Sequence, residues 1–300
     1  MERIIGDLGN KKGQKLLLSI GGVHGNETSG VIALERVFDF IEKEKIDLNG
    51  RFVGLRGNIA ALKSGRRFID KDMNRVWDDE TIKKAIKNAE QVSEYAELKE
   101  IFEVFQKLQF NQYPDRVFLD LHTTSAENGI FIMVEELETT GYIVEKIHAP
   151  MVLGLHKGLL NTSIPYMHMH GFTSLAFEAG KIGSFQSVHN HEMIIWQVLC
   201  FAGFIDWKDV PLQIQNYNYL SEKTAHLPKK MILEYCHHIH PKDEFQMKPG
   251  YKNFDKIEKG EVVARDSKGE IKAPVDGFML MPLYQPEGSD GFFIVKEMEG

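Results

Sequence analysis

Cysteine is scarce in this chain of 300 residues, which has only Cys200 and Cys236. Two cysteines are too few for a disulfide framework. Cys200 lies in the apolar run 193–205, where we expect a small core residue rather than a reactive thiol. Stability must therefore come from a hydrophobic core, for which a hydrophobic content of 43% is sufficient.

Long apolar runs and an excess of positive charge are also missing. The run 193–205 is the longest apolar stretch, is interrupted by Gln197 and is too short to span a bilayer. Residues 1–6 contain no apolar signal segment. The net charge of −7 argues against a general nucleic-acid binder, whose surface would be basic. We therefore expect a cytoplasmic protein that binds neither membranes nor nucleic acid, and a homo-oligomer stays open.

Strand-like and helix-like runs alternate up to about position 207, which predicts an α/β fold with a largely parallel sheet. The predicted strands are 15–20, 51–55, 116–121, 130–134 and 174–177. Segment 81–108 has the pattern of a surface helix. Its apolar face comprises Ile82, Ile86, Ala89, Ile101, Phe105 and Leu108. Segment 187–205 is predicted to be the last helix of this layer.

The composition changes after Trp207, where short apolar runs are separated by glycine and proline. These runs predict short strands and a smaller C-terminal β domain. They are 231–235, 261–264, 277–281 and 292–295. The polar segment 216–224 is the expected linker. We therefore expect a catalytic domain over 1–212 and a β domain over 213–300.

A histidine and a carboxylate follow the first predicted buried strand. His24 and Glu27 lie in a glycine-rich turn, residues 21–27, between that strand and a helical pattern. Imidazole and carboxylate are both zinc ligands, and the glycines allow a tight turn that lets both side chains face one point. In an α/β protein this is where the chemistry is usually placed. The pair predicts half of a metal site.

His122 stands at the end of a second buried-strand signal, so it should meet His24 and Glu27 at one sheet edge. Three protein ligands plus water form an open, catalytic type of zinc site, and Asp120 would orient one of the histidines. The alternative for His122 alone is an ordinary histidine at a strand end. His237, His238 and His240 lack a matching carboxylate at clear ligand spacing, so we expect solvated or structural histidines there.

Two further groups are candidates for chemistry. Glu178 follows the strand-like run 175–177. If it is buried near a metal, it would shuttle a proton, and the alternative is a surface glutamate in a turn. Residues 66–75 contain three arginines interleaved with aspartates. Arginine can hold a carboxylate or polarise a carbonyl, and the alternative is a solvated loop with internal ion pairs.

Five motifs, in their order and spacing, resemble those of the succinylglutamate desuccinylase and aspartoacylase family. They are Gly22-Val23-His24-Gly25-Asn26-Glu27, Gly57-Asn58, the segment from Arg67 ending Asp72-Met73-Asn74-Arg75, Asp120-Leu121-His122-Thr123-Thr124, and Phe177-Glu178-Ala179-Gly180. The resemblance covers essentially the whole chain. It implies a zinc carboxypeptidase-like fold, with a mixed, largely parallel sheet flanked by helices and a smaller C-terminal β domain.

The resemblance also implies roles for single residues. His24, Glu27 and His122 match zinc ligands, Glu178 the general base and acid, and Arg67 the arginine that polarises the scissile carbonyl. Asn74 and Arg75 match the pair that holds the substrate's α-carboxylate. Asn58 and Asp72 match pocket positions that support substrate and arginine placement. Tyr284 corresponds to a tyrosine that reaches over the mouth of the site.

One position departs from the family pattern. Members that act on acidic substrates have an arginine ten residues before the catalytic glutamate, and this chain has His168 there. Histidine holds a second carboxylate less well than arginine does, so specificity for aspartate or succinyl groups is in doubt.

The resemblance implies a zinc-dependent amidohydrolase, with one Zn²⁺ per chain, that cleaves the linear amide bond of a small N-acyl amino acid. A carboxypeptidase-like peptidase acting on free C-termini is the nearest alternative, since the same residues serve both reactions. A non-catalytic protein that uses the zinc pocket for binding is the alternative from another class.

Overall fold

The computed structural model describes residues 1–88, 90–216 and 218–298. Ala89, predicted on a helix face, and Tyr217, in the predicted linker, lie outside the described residues. The strands are β1 (Ile4–Gly9), β2 (Lys15–Gly21), β3 (Arg51–Arg56), β4 (Asp115–Thr124), β5 (Ile130–Val134), β6 (Met151–Leu153), β7 (Thr173–Lys181), β8 (Lys230–His238), β9 (Gln246–Met247), β10 (Lys256–Ile257), β11 (Val262–Asp266), β12 (Gly269–Lys272), β13 (Gly277–Leu280) and β14 (Asp290–Glu297). The helices are α1 (Ser29–Glu44), α2 (Ile59–Ser64), α3 (Asp79–Ile86), α4 (Ser93–Leu108), α5 (Leu137–Val144), α6 (Ser163–Met169), α7 (Phe185–Phe201) and α8 (Tyr219–Thr224).

Within the described ranges, one large sheet has the order β1-β3-β2-β4-β7-β5-β6-β8-β14-β13-β10. Its centre is parallel, because β3, β2, β4 and β7 run in one direction. β5 is antiparallel to β7, and β14 and β13 continue the sheet in antiparallel fashion. A smaller antiparallel sheet has the order β12-β11-β9. The predicted fold class, a mixed α/β sheet with a smaller β region, is confirmed.

The predicted strands of the first two hundred residues are all present, extended by up to four residues at an end. Sequence analysis missed β1, an edge strand antiparallel to β3, and β6, which has only three residues. The single surface helix predicted over 81–108 is wrong, because the structure has two helices, α3 and α4, in this region. Asn88 adopts a left-handed conformation with φ +52, which ends the first helical run.

Only some of the C-terminal strands form a separate sheet, and the others belong to the large sheet. β8 pairs in parallel with β6, so β8, β14, β13 and β10 extend the large sheet. The expected linker 216–224 contains the short helix α8. The division at 212/213 stays a prediction. No helix among the described residues combines the length and the hydropathy that a membrane crossing requires.

The core lies on both faces of the large sheet. On β2, Leu17 packs in one apolar cluster while Leu16 and Leu18 pack in another, because successive side chains of a strand point to opposite faces. The first cluster includes the buried faces of α1 and α7, and the second includes that of α4. All three leucines are 0% exposed, and each such burial contributes about 2 kcal/mol. Continuous apolar strands of this kind are typical of a parallel sheet covered on both faces.

Glu94 on α4 organises the loop that follows α2. This carboxylate is fully buried, and it accepts hydrogen bonds from the backbone amides of Ile69 (2.7 Å), Asp70 (3.1 Å) and Lys71 (3.0 Å). It also accepts one from the Asn58 side chain at 3.0 Å. The buried charge is therefore stabilised by four donors, and the loop backbone is held in one conformation.

We expect Glu94→Gln to lower the free energy of unfolding by about 2 kcal/mol, because the amide group leaves buried N–H donors unpaired. Urea denaturation followed by circular dichroism measures the difference. Glu103→Gln, on the exposed face of the same helix, is the matched control and should leave stability unchanged. Equal midpoints for the two variants would show that Glu94 does not hold the loop.

Candidate metal centre and active site

The loop between β2 and α1 brings His24 and Glu27 together. Gly22 adopts φ +71, and a Cβ on Gly25 would lie only 2.1 Å from the backbone carbonyl carbon of Ala61. Glycine is therefore required at both positions, for conformation and for space. In the resulting turn His24 Nδ1 lies 2.8 Å from Glu27 Oε1.

His122 on β4 completes the group. Its Nδ1 lies 3.4 Å from Glu27 Oε2, and the ligand atoms of His24, Glu27 and His122 all lie within 4.8 Å of one another. All three residues are 3% exposed. The structure therefore brings the three predicted ligands together at the edge where β2 and β4 end.

Each histidine has an aspartate beside its other ring nitrogen. His24 Nε2 lies 2.9 Å from Asp72 Oδ1, and His122 Nε2 lies 3.1 Å from Asp120 Oδ1. A carboxylate in this position accepts the Nε2 hydrogen and leaves Nδ1 free as a ligand. Burial would raise the pKa of Asp72, but His24 and two arginines hold it well below its usual range. Asp120 therefore lies close enough to His122 to orient it, and that role stays a prediction.

These residues fit a zinc ion. Two imidazole nitrogens and one carboxylate are a typical donor set for zinc, and both Nδ1 atoms point toward Glu27. Among the described residues this group has three ligating side chains and no fourth. Three protein ligands leave one coordination position for water or substrate, as in catalytic rather than structural zinc sites.

Glu178 lies beside this group. It is on β7, next to His122 in the register of the parallel pair β4–β7. Its side chain lines the same cavity as the three ligands and is 5% exposed. Burial raises the pKa of Glu178 to about 8. Its Oε2 atom is buried and has no hydrogen-bond partner among the described residues, so a polar group that enters the cavity would find an acceptor there.

Arg67 lies against the same group. Its Nη1 is 3.3 Å from Glu27 Oε1, and its Nη2 is 3.2 Å from Asp72 Oδ2. The guanidinium therefore links a metal ligand to the aspartate that orients His24. Its Nε is buried without a hydrogen-bond partner in the described part of the chain.

A 3₁₀ turn, Met73–Arg75, presents the next two predicted residues. The Asp72 side chain caps it by accepting the Asn74 amide at 2.8 Å. Asn74 and Arg75 both line the cavity. Arg75 Nη2 is 2.5 Å from Oδ2 of Asp290, so this arginine already forms an ion pair with a carboxylate of the protein itself.

Four predicted pocket residues do not line this cavity. Asn58 is fully buried, where it caps α2 and bonds to Glu94, so it supports the loop rather than a ligand. His168 lies 3.8 Å from Glu136. The Tyr284 hydroxyl donates to the Lys248 carbonyl at 2.8 Å, and the residue lines a neighbouring groove that shares Arg75 with the cavity. Its place over the mouth of the site stays a prediction. Asp72 also lies behind the cavity lining, where it positions Arg67 and His24.

Sequence analysis missed the contribution of the segment 281–293. Its cavity-lining residues are Met281, Leu283, Gln285, Gly288, Ser289, Asp290 and Phe293. Asp290 lies 215 positions after Arg75, so no local spacing signal could have paired them. The loop between β13 and β14 and the start of β14 therefore supply one wall of the cavity, and the first two hundred residues supply the candidate catalytic groups.

The comparisons with known proteins agree with this geometry. The succinylglutamate desuccinylase/aspartoacylase catalytic domain model matches residues 12–193. Succinylglutamate desuccinylase of Pseudomonas putida is 35% identical over 111 residues, which are 37% of this chain and 31% of that protein. The same enzyme of Pseudoalteromonas atlantica is 24% identical over 277 residues, or 89% of this chain and 76% of that protein. The matches thus span from about a third to three quarters of these relatives.

Solved structures have the same fold. A succinylglutamate desuccinylase/aspartoacylase from Rhodobacter sphaeroides superposes with a TM-score of 0.69 at 17% identity, covering 98% of this chain and 88% of that one. The ectoine utilization protein EutE from Ruegeria pomeroyi superposes with a TM-score of 0.66 at 16% identity, covering 97% and 87%. The family model covers more than half of the chain, and the matched range includes His24, Glu27, His122 and Glu178. The chain belongs to the succinylglutamate desuccinylase/aspartoacylase family.

Proposed function

We propose that this protein is a zinc-dependent amidohydrolase that cleaves the linear amide bond of an N-acyl amino acid. One observation carries the proposal: a single cavity is lined by the three-ligand group, by Glu178 and by two arginines, Arg67 and Arg75. Family membership supports hydrolysis of this kind of bond. His24, Glu27 and His122 would hold one zinc ion per chain, and a zinc ion supplies Lewis-acid chemistry and lowers the pKa of water.

Glu178 is the proposed general base and acid. Its unpartnered Oε2 accepts a proton from the water whose oxygen adds to the acyl carbon. The same carboxyl group then donates this proton to the amide nitrogen as the C–N bond breaks, so that a carboxylic acid and an amine are released. Burial of the side chain keeps bulk water from competing for its proton.

Arg67 is the proposed partner of the oxygen on which negative charge develops. Its two Nη atoms are anchored by Glu27 and Asp72, which fixes the guanidinium plane before a substrate arrives. Preorganised donors stabilise a developing charge without a reorganisation cost. Arg67 is held by two carboxylates, whereas in the described part of the chain Arg75 pairs with one, that of Asp290.

Arg75 and Asn74 are the proposed site for the α-carboxylate of the substrate. A guanidinium can bind a carboxylate bidentately. To bind the substrate in this way, Arg75 would have to exchange its present partner, Asp290, for the substrate carboxylate. The same cavity has an apolar wall formed by Met133, Leu159, Met281, Leu283 and Phe293. His168 does not line the cavity and so adds no positive charge to it. The apolar wall therefore favours a substrate with an apolar acyl group or side chain over one with a second carboxylate.

Segment 281–293 also bears on the peptidase alternative. It closes one side of the cavity, which favours a small substrate over a long peptide. A panel of N-acyl amino acids with varied acyl chains, alongside peptides with free C-termini, separates the two activities. Faster cleavage of the peptides would replace the deacylase proposal, and binding without turnover of either class would favour a non-catalytic role.

Glu178→Gln should lower kcat about 10³-fold, because proton transfer by a positioned side chain contributes this order of magnitude. Amine release from the zinc-loaded protein measures kcat, and elemental analysis should find the zinc content unchanged. Glu127→Gln, an exposed carboxylate after β4, is the control and should keep full activity. Undiminished turnover by Glu178→Gln would remove this residue from the mechanism.

Asp72→Asn should weaken metal binding about 10- to 100-fold, which is typical when a histidine ligand loses its carboxylate partner. A competition titration with a chromophoric chelator gives the affinity. Asp70→Asn, two residues earlier and exposed, should bind metal like the wild type. Identical affinities for the two variants would contradict the proposed role of Asp72 in orienting His24.

Asp290→Asn should lower KM for carboxylate substrates about tenfold, because the substrate no longer competes with a full negative charge for Arg75. Arg75→Ala should raise the same KM. Analogues whose carboxylate is blocked as a neutral amide should respond little to either change. Parallel responses of acids and blocked analogues would show that Arg75 does not bind the carboxylate.

A further inference from the structure

A second group of metal-ligating side chains lies on the C-terminal strands. Cys236 and His238 are two residues apart on β8, so their side chains share a face of the sheet. Asp290 begins β14 and is paired with His238 in the strand register. This places a thiol, an imidazole and a carboxylate together beside the candidate active-site cavity, which Asp290 also lines.

The separations between the ligand atoms of this group are close to those found around a bound transition metal ion. Cys236 Sγ lies 3.6 Å from His238 Nδ1 and 3.9 Å from Asp290 Oδ1, and His238 Nδ1 lies 2.7 Å from Asp290 Oδ1. Zinc bonds of about 2.0–2.3 Å in a tetrahedron would separate the ligand atoms by roughly 3.3–3.7 Å. The His238–Asp290 separation has to increase by roughly half an ångström, and the Cys236–Asp290 separation has to decrease slightly.

We propose that Cys236, His238 and Asp290 form a second site, which binds a divalent transition metal ion of the zinc type. Thiolate, imidazole and carboxylate are all zinc ligands, and with three of them one coordination position stays open. His238 is exposed, which gives an ion an entry path, whereas the Asp290 side chain is only 8% exposed and is held in place. The ligand set contains sulfur, and the set His24, Glu27 and His122 does not.

Asp290 connects this site to the cavity. Its Oδ1 faces Cys236 and His238, and its Oδ2 faces Arg75 at 2.5 Å. A cation bound at Oδ1 competes with Arg75 for the charge of the carboxylate. Burial and the facing carboxylate raise the pKa of Cys236 to about 12, so a bound ion must displace the thiol proton, as it does at other thiolate sites.

The neighbouring residues supply matched controls. His237 points to the other face of β8, where its ring stacks on Phe292 with a centroid distance of 5.1 Å and its Nδ1 lies 2.9 Å from the Tyr235 hydroxyl. Cys200 is the only other cysteine, and it packs on α7 against the main core. A metal–thiolate signal that depends on Cys236 therefore reports this site alone.

The test is a titration of the metal-free, full-length protein with Co²⁺, followed by absorption. Cobalt bound to a thiolate produces an intense sulfur-to-metal charge-transfer band in the near ultraviolet, which histidine and carboxylate ligands do not. We expect two equivalents of cobalt to bind and the band to be present. Cys236→Ser should abolish the band and leave one equivalent of bound cobalt per chain. His238→Ala should weaken cobalt binding at the site that produces the band, by about tenfold or more.

The controls Cys200→Ser and His237→Ala should both keep the band, and circular dichroism shows which variants fold. Absence of the band in the wild type, or its persistence in Cys236→Ser, would overturn the proposal, as would a band that needs millimolar cobalt and so marks adventitious binding. A Cys236-dependent band in a protein that hydrolyses no N-acyl amino acid would support this site while the proposed function fails.

Discussion

The carboxylate of Glu27 is the group on which the rest of this structure depends. It is a buried negative charge, and each of its oxygens has two partners. Oε1 faces His24 and Arg67, while Oε2 faces His122 and accepts the Thr123 amide at 2.7 Å. A buried charge without such partners would cost several kcal/mol. The fold must therefore bring the β2–α1 loop, the arginine loop and β4 to one point.

The same requirement extends outward in layers. Asp72 and Asp120 fix the two histidines, and Asp72 also holds Arg67. Glu94 in turn holds the backbone just before Asp72 through three amides. The candidate catalytic groups thus sit on rigid elements whose own positions are set by buried carboxylates. Removal of one partner would leave another buried group unpaired, which is why such networks stabilise a single arrangement.

The two ends of the chain contribute different things to the cavity. The parallel centre of the sheet carries the metal ligands and Glu178, because the carboxyl ends of β2, β4 and β7 meet at one edge. Segment 281–293 adds an apolar wall and Asp290. The candidate catalytic groups thus come from the first two hundred residues, and one wall of the cavity comes from the chain between β13 and the start of β14.

The sequence by itself determined the α/β alternation, the predicted ligands His24, Glu27 and His122, and the position of Glu178. Each of these depends on a local pattern, namely an apolar strand and the residue at its carboxyl end. The tertiary structure alone decided where the other side chains point. It made Asn58 the cap of α2, tied the Tyr284 hydroxyl to the Lys248 carbonyl, and divided the helix predicted over 81–108. It also supplied the carboxylate that His238 lacked in sequence, from Asp290. That pairing depends on the register between β8 and β14, which many weak contacts along both strands set together, and no short-range spacing encodes it.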